Sequence, residues 1–301
     1  MAIMLSSARE HSVGLAGAGL LGPLCLFGTA LLWSFIGVSV KGSATPPLVF
    51  SSVSAIAMAV CILAVGRPRM RFTRTVVYAG VCACIASVTF VVANSLTAVG
   101  NAIALQYTSM IFVIIYQCVG ERHLPALRHV GAIIIAAAGM VLFFTGKLSA
   151  SGMVGNVFAI ISGAAFGMQF YLNARPDAAP MCSSFIQAVL TACLLLFQLP
   201  AAFAVPAGEW LRMVAVGVLC YGFAALLFAQ GIARVAPFTA NIICMSEVLM
   251  APLWSLAIYG ERLSMGAIAG AVLLTFDIIA TLWLDRRHER ASRRLERASS
   301  Q

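Results

Sequence analysis

Ten long apolar stretches set the pattern of this chain, at about 20–40, 46–65, 75–93, 97–117, 127–145, 153–172, 183–204, 211–230, 236–258 and 264–284. Each is close to the ~20 residues that a helix needs to cross the hydrocarbon of a bilayer. Polar residues gather between the stretches instead of alternating within them. The stretches are also about twice the length of a barrel strand, so the pattern predicts helices and excludes strands. Turn formers sit where the stretches meet. Pro46-Pro47 opens the second, Pro237 fits the first turn of the ninth, and Gly120 and Gly260 suit helix ends. The longest polar piece is the tail, residues 285–301. The expected fold is an all-α polytopic membrane protein of ten transmembrane helices.

A frame recurs inside this pattern at a spacing of 140 residues. Residues 101–122 read NAIALQYTSMIFVIIYQCVGER and residues 241–262 read NIICMSEVLMAPLWSLAIYGER, with six of 22 positions identical. Apolar matches carry little weight in membrane helices. The register of Asn101 with Asn241 and of Gly120-Glu121-Arg122 with Gly260-Glu261-Arg262 carries more. A fainter match aligns Trp33 of LLWSFIG with Phe166 of AAFGMQF. The chain therefore reads as two copies of one five-helix unit, over 20–145 and 153–284, between a segment at 1–19 and a basic tail at 285–301. Five is odd, so the second copy enters the membrane from the opposite side. The repeats are expected to be inverted, an arrangement that places a substrate site near the bilayer midplane between them.

Composition agrees with this reading and narrows it. The chain is 61% hydrophobic and 10% charged, against roughly 25% charged in a soluble domain. Its net charge of +9 does not point to nucleic acid, because the basic residues sit in short loops and the tail. With the N-terminus inside, 15 of the 19 Lys and Arg residues fall on the cytoplasmic side and 4 on the outer side. That bias predicts an inner-membrane protein with both termini cytoplasmic. The apolar stretch that follows Arg9 runs to Val40, too long for a signal-peptide core, and is expected to remain as the first span.

Chemistry is sparse. Well inside the spans the ionisable residues are Glu247 and Asp277. A charged acid at the membrane centre costs ~2.5–3.5 kcal/mol on insertion scales. Each acid must face a wet cavity, find partners or hold a proton. Such a group can bind a substrate amine or carry a coupling proton; the alternative is a protonated acid bonded to a neighbouring helix. Tyr107 holds the place of Glu247 in the first copy. Pro252 is expected to free the Val248 carbonyl beside the acid. Trp254, seven residues after Glu247, shares its face to within about 20°. Asn101, Gln169, Gln230 and Asn241, with Asn173, suggest as a set a polar cavity, and Trp33 is a candidate wall.

Other chemistries find no support. The four histidines, at 11, 123, 129 and 288, are expected in tails or a loop, so no His–Asp or Ser–His pair is expected within the membrane and an enzyme is disfavoured. The nine cysteines lie mostly inside apolar runs and form neither a disulfide framework nor a zinc site. No nucleotide-binding loop is present, and no cofactor is expected. An intramembrane enzyme and a passive channel are the alternatives to a carrier.

Glu247 stands fourteen residues before Glu261 of Gly-Glu-Arg-Leu, and residues 101–108 read NAIALQYT. With ten spans in two inverted halves, these features resemble the EamA family of the drug/metabolite transporter superfamily over about residues 22–284. The family pattern often has Pro directly after the acid; here that position is Val248 and the proline is Pro252. The resemblance implies a secondary-active transporter for a small polar solute, an amino acid, a nucleotide-like metabolite or an amino-acid-derived metallophore, moved mostly outward. Glu247 is then expected to bind a substrate amine or the coupling proton, with Trp254 and Trp33 walling the cavity.

Overall fold

A chain that crosses hydrocarbon must satisfy its backbone N–H and C=O groups within each segment, and continuous apolar runs do so as helices. The computed structural model describes residues 20–41, 43–97, 99–122, 124–144, 152–260 and 264–299, and all regular structure in them is helical. In chain order, α1 is Leu21–Lys41 and α2 runs from Pro47 to Gly66, its last turn wound as a π-helix. Next come α3, Arg74–Leu96, and the two pieces α4a, Val99–Gln106, and α4b, Ser109–Glu121. Helix α5 is Leu127–Phe143, α6 is Met153–Asn173, and α7 is Pro180–Cys193 with a 3-10 turn at Leu194–Phe197. Helix α8 covers Ala207–Ile232 around a π segment at Gly217–Phe223. The chain then forms α9a, Pro237–Cys244, α9b, Ser246–Tyr259, and α10, Met265–Ser299.

Among the described residues, eight helical stretches are long and apolar enough to cross a membrane, while Leu127–Phe143 and Pro237–Met250 are shorter apolar helices. At ~1.5 Å per residue, a helix the length of α5 reaches roughly 26 Å, a little under the hydrocarbon thickness.

Helix ends follow local chemistry, with one departure from expectation. Pro47 and Pro237 open their helices at the first turn, where a missing N–H costs nothing. Gly260 ends α9b with a left-handed φ of 68°. Gly120 does not end α4b: the helix continues to Glu121, and Arg122 takes the left-handed position at φ 55°. The glycine serves packing instead, since a Cβ there would meet the Tyr171 hydroxyl at 2.0 Å.

The apolar faces converge on α9a. Every residue from Phe238 to Cys244 is buried, and the two polar side chains among them, Thr239 and Asn241, each have a hydrogen-bond partner on another helix. Around it lie Leu26 of α1, Met110 and Val113 of α4b, Ala136 and Met140 of α5, Phe170 of α6, Phe228 and Ile232 of α8, and Leu274 of α10. Helix α3 packs along α6 and α7, α10 along α5, and α1 against α8 and α9b.

Candidate functional site

Two helices break near the middle of the bundle. Helix α4 breaks at Tyr107-Thr108, and α9 breaks at Met245. At the first break the Thr108 hydroxyl donates back to the Leu105 carbonyl at 2.6 Å. At the second, the Val248 N–H reaches only three residues back, to the Met245 carbonyl at 3.0 Å. Helix α9b runs helical through Pro252, and the chain breaks seven residues earlier. The break starts a new helix at Ser246 and puts Glu247 in its first turn, where the helix dipole favours negative charge by about 0.3–1 kcal/mol.

Helix α6 holds the α4 break in place through Gly163 and Gly167. A Cβ at Gly163 would lie 2.8 Å from the Gln106 carbonyl, and one at Gly167 would lie 2.8 Å from the Ser109 carbonyl. Glycines four apart let helix backbones approach this closely. Gln106 then donates to the Ser162 hydroxyl at 2.9 Å, and Ser162 to the Ala86 carbonyl at 2.8 Å, tying α4a through α6 to α3.

The two breaks meet through side chains. The Tyr107 hydroxyl donates to the Glu247 carboxylate, and the Cys244 carbonyl lies 3.4 Å from the same hydroxyl. Tyr107 is buried and Glu247 is partly exposed. No Lys, Arg or His lies within ion-pair distance of Glu247 among the described residues. One turn away, Asn241 and Ser109, both 0% exposed, pair at 3.1 Å from the amide nitrogen and 3.2 Å to the amide oxygen. These contacts seat a carboxylate between α4 and α9 with a phenol as its one described donor. That is a group able to take up a proton or an ammonium.

Aromatic residues gather close by. Trp33 lies 5.9 Å between ring centroids from both Phe166 and Phe228, and Phe170 packs edge-on to each of these at 5.0 and 5.3 Å. Trp254 stacks on Phe35 at 4.2 Å and donates from Nε1 to the Ser34 hydroxyl at 2.9 Å, clamping α9b to α1.

The remaining candidates are dispersed. Asn101 bonds Thr97 and Asn156, each at 3.3 Å, as a clasp between α4a, the end of α3 and α6. Gln230 is exposed near the end of α8 and accepts from Arg234 at 2.9 Å. Gln169 is buried on α6. Asp277 is buried on α10. The structure thus brings Tyr107, Asn241 and Glu247 together with Ser109, and ties Trp254 of α9b to Ser34 and Phe35, the residues that follow Trp33 on α1. Ser109 and the glycine pair carry no signal of a site in the sequence, although the spacing Gly163-x-x-x-Gly167 is visible there. His129, expected in a loop, lies in the first turn of α5, with Nε2 3.5 Å from the Asp285 carboxylate. Glu261 and Arg262 lie outside the described residues.

Comparison with known proteins agrees with this architecture. Residues 153–283 match the EamA-like transporter family. An uncharacterized transporter of Archaeoglobus fulgidus is 28% identical over 225 residues, covering 73% of this chain and 79% of that protein. A solved crystal structure superposes with a TM-score of 0.73 over 88% of this chain and 98% of its own, at 17% identity, a likeness of fold alone. With its helical build and its eight stretches long enough to span a bilayer among the described residues, the chain is a polytopic membrane protein whose second half matches the EamA-like transporter family.

Proposed function

We propose that the chain is a secondary-active carrier of the inner membrane that exports a small polar, amino-acid-derived solute by alternating access, with Glu247 as the group that binds substrate amine or coupling proton. The observation that carries this reading is the bond between Tyr107 and Glu247 where two broken helices meet. Discontinuous helices bring half-helix N-termini into the membrane interior, where their positive ends suit an anionic substrate group. Helices α4b and α9b both begin at this point. A zwitterion fits such a place, its carboxylate toward the helix ends and its amine toward Glu247. Trp33 and Trp254 supply flat apolar walls.

The inverted repeat gives this contact its meaning. Residues related by a two-fold axis touch each other only beside that axis. Tyr107 and Glu247 correspond in the 140-residue frame and are hydrogen-bonded, and Trp33 and Phe166, aligned by the fainter match, are in ring contact. Both contacts favour a pseudo-two-fold axis through the site, between units at 20–145 and 153–284. The orientation, with both termini cytoplasmic, rests on the placement of Lys and Arg, and the outward direction on the resemblance to exporting carriers.

Glu247→Gln keeps the shape and removes the ionisation, and its insertion is expected to be near normal. Export per folded molecule is expected to fall at least tenfold, the equivalent of about 1.4 kcal/mol, or to lose its pH dependence. Comparison of metabolites in medium and cells, with and without the chain, supplies the solute to follow. Normal, pH-dependent flux in Glu247→Gln refutes the role assigned to the acid.

A further inference from the structure

A second acid is buried away from Glu247. Asp277 is 1% exposed, and its Oδ2 has no hydrogen-bond partner among the described residues. It lies on the inner stripe of α10 with Ala267, Gly270, Leu274 and Thr281, the face that packs on α5. That packing is close: a Cβ at Gly270 would lie 2.4 Å from the Phe143 nitrogen, and one at Gly139 would lie 2.9 Å from Leu274. The buried face of α5 consists of Ala132, Ala136, Gly139, Met140 and Phe143, none with a side-chain donor. An ionised carboxylate without donor or counter-charge is not tolerated at such a place. It requires a bound cation, and a face of Ala, Gly, Met and Phe side chains offers no oxygen cage for a metal ion. The proton is the cation that needs none.

A polar line joins this acid to the end of the bundle. Asp277, Thr281 and Asp285 are spaced at four residues along one helix, which sets successive side chains about 5–6 Å apart at Cβ. Thr281 is buried. Asp285 accepts from Arg128 Nε at 3.1 Å, lies 3.5 Å from His129 Nε2, and accepts from the Thr239 hydroxyl. The titratable groups on the helices packed against α10 are Arg128 and His129 of α5, and Cys244, Glu247 and Tyr259 of α9. Helix α10 itself adds Asp285 and the basic run from Arg286. Of these, His129 carries an imidazole, whose two ring nitrogens can accept a proton on one side and donate one on the other.

We propose that α10 carries a proton-binding site distinct from Glu247, with Asp277 as the acceptor and His129, Asp285 and Thr281 as its route from the end of the bundle where α5 begins. Its use in coupling rests on the carrier reading above; proton binding itself does not.

Two measurements on the purified, full-length protein test the site without any solute. In an infrared pH titration, a carbonyl band of a protonated carboxylic acid should persist in Glu247→Gln and be lost when Asp277→Asn is added to it. In the wild type, dicyclohexylcarbodiimide, which attacks protonated carboxyls in apolar surroundings, should modify Asp277 to an extent that falls as pH rises. This second readout needs no variant to fold. A band that stays intact in the double variant Glu247→Gln, Asp277→Asn, or no adduct at Asp277 at any pH, overturns the site while leaving the role of Glu247 untouched. After a pH jump, the band should respond severalfold more slowly in the double variant His129→Ala, Asp285→Asn; an unchanged rate overturns the route. Because nothing is transported in these measurements, a failure of the carrier reading would show separately, as absent flux with the proton site still present.

Discussion

The bond between Tyr107 and Glu247 lends itself to a double-mutant cycle. Tyr107→Phe removes the donor with little change of shape, and Glu247→Leu removes the acceptor; the two variants and their combination isolate the pairwise energy. A hydrogen bond to a charged group contributes about 1.5–3 kcal/mol. Interhelical side-chain bonds in a membrane protein average about 0.6 kcal/mol and reach about 1.7. The Cys244 carbonyl, 3.4 Å from the hydroxyl, offers the released phenol a weak acceptor and trims the coupling slightly. With the acid ionised, a coupling of about 1.5–3 kcal/mol is expected, roughly ten- to a hundredfold in the unfolding equilibrium. With the acid protonated, it should shrink toward about 0.6 kcal/mol. Reversible unfolding of the four proteins in mixed micelles, titrated with dodecyl sulfate and repeated across pH, reads both limits. A coupling near zero at every pH would mean that the two side chains do not bond, and the role given to the meeting of the two breaks would fail with it.

Further outcomes follow from packing and charge. Gly163→Ala sets a methyl 2.8 Å from the Gln106 carbonyl, whereas at Gly131 nothing lies within 4 Å of the added atom. Overpacking costs typically 1–3 kcal/mol, so the folded yield of Gly163→Ala should drop while that of Gly131→Ala holds; equal yields would undo the role given to the α4–α6 approach. Reporters active on one side of the membrane only, fused at Gln301 and at Lys147, should report the cytoplasm for the first and the outside for the second. The same side for both would overturn the count of ten spans.

Much of the candidate site is legible in the sequence, and for a definite reason. An ionisable residue is so costly in hydrocarbon that Glu247 stands out among apolar neighbours, and an internal frame names Tyr107 as its counterpart. The amides Asn101, Gln169 and Gln230 look equally eligible, since a polar side chain reads the same in sequence whether it lines a site or clasps two helices. Asn101 is a clasp to Thr97 and Asn156, and Gln230 is held by Arg234 at a helix end. The His129–Asp285 contact spans 156 residues of chain, and no local pattern announces it.

Sequence by itself determined that the chain is helical and membrane-embedded, because apolar length and backbone hydrogen bonding admit little else. It also determined where most helices start, because proline is at no disadvantage at a first turn. Tertiary structure decided where helices break. One break falls at Met245, seven residues before Pro252, and a second at Tyr107-Thr108, where α6 presses Gly163 and Gly167 against carbonyls of α4. Backbone groups released at a break need partners from other helices, so the site of a break depends on which neighbours can approach. That is a property of the packed bundle and not of any one segment.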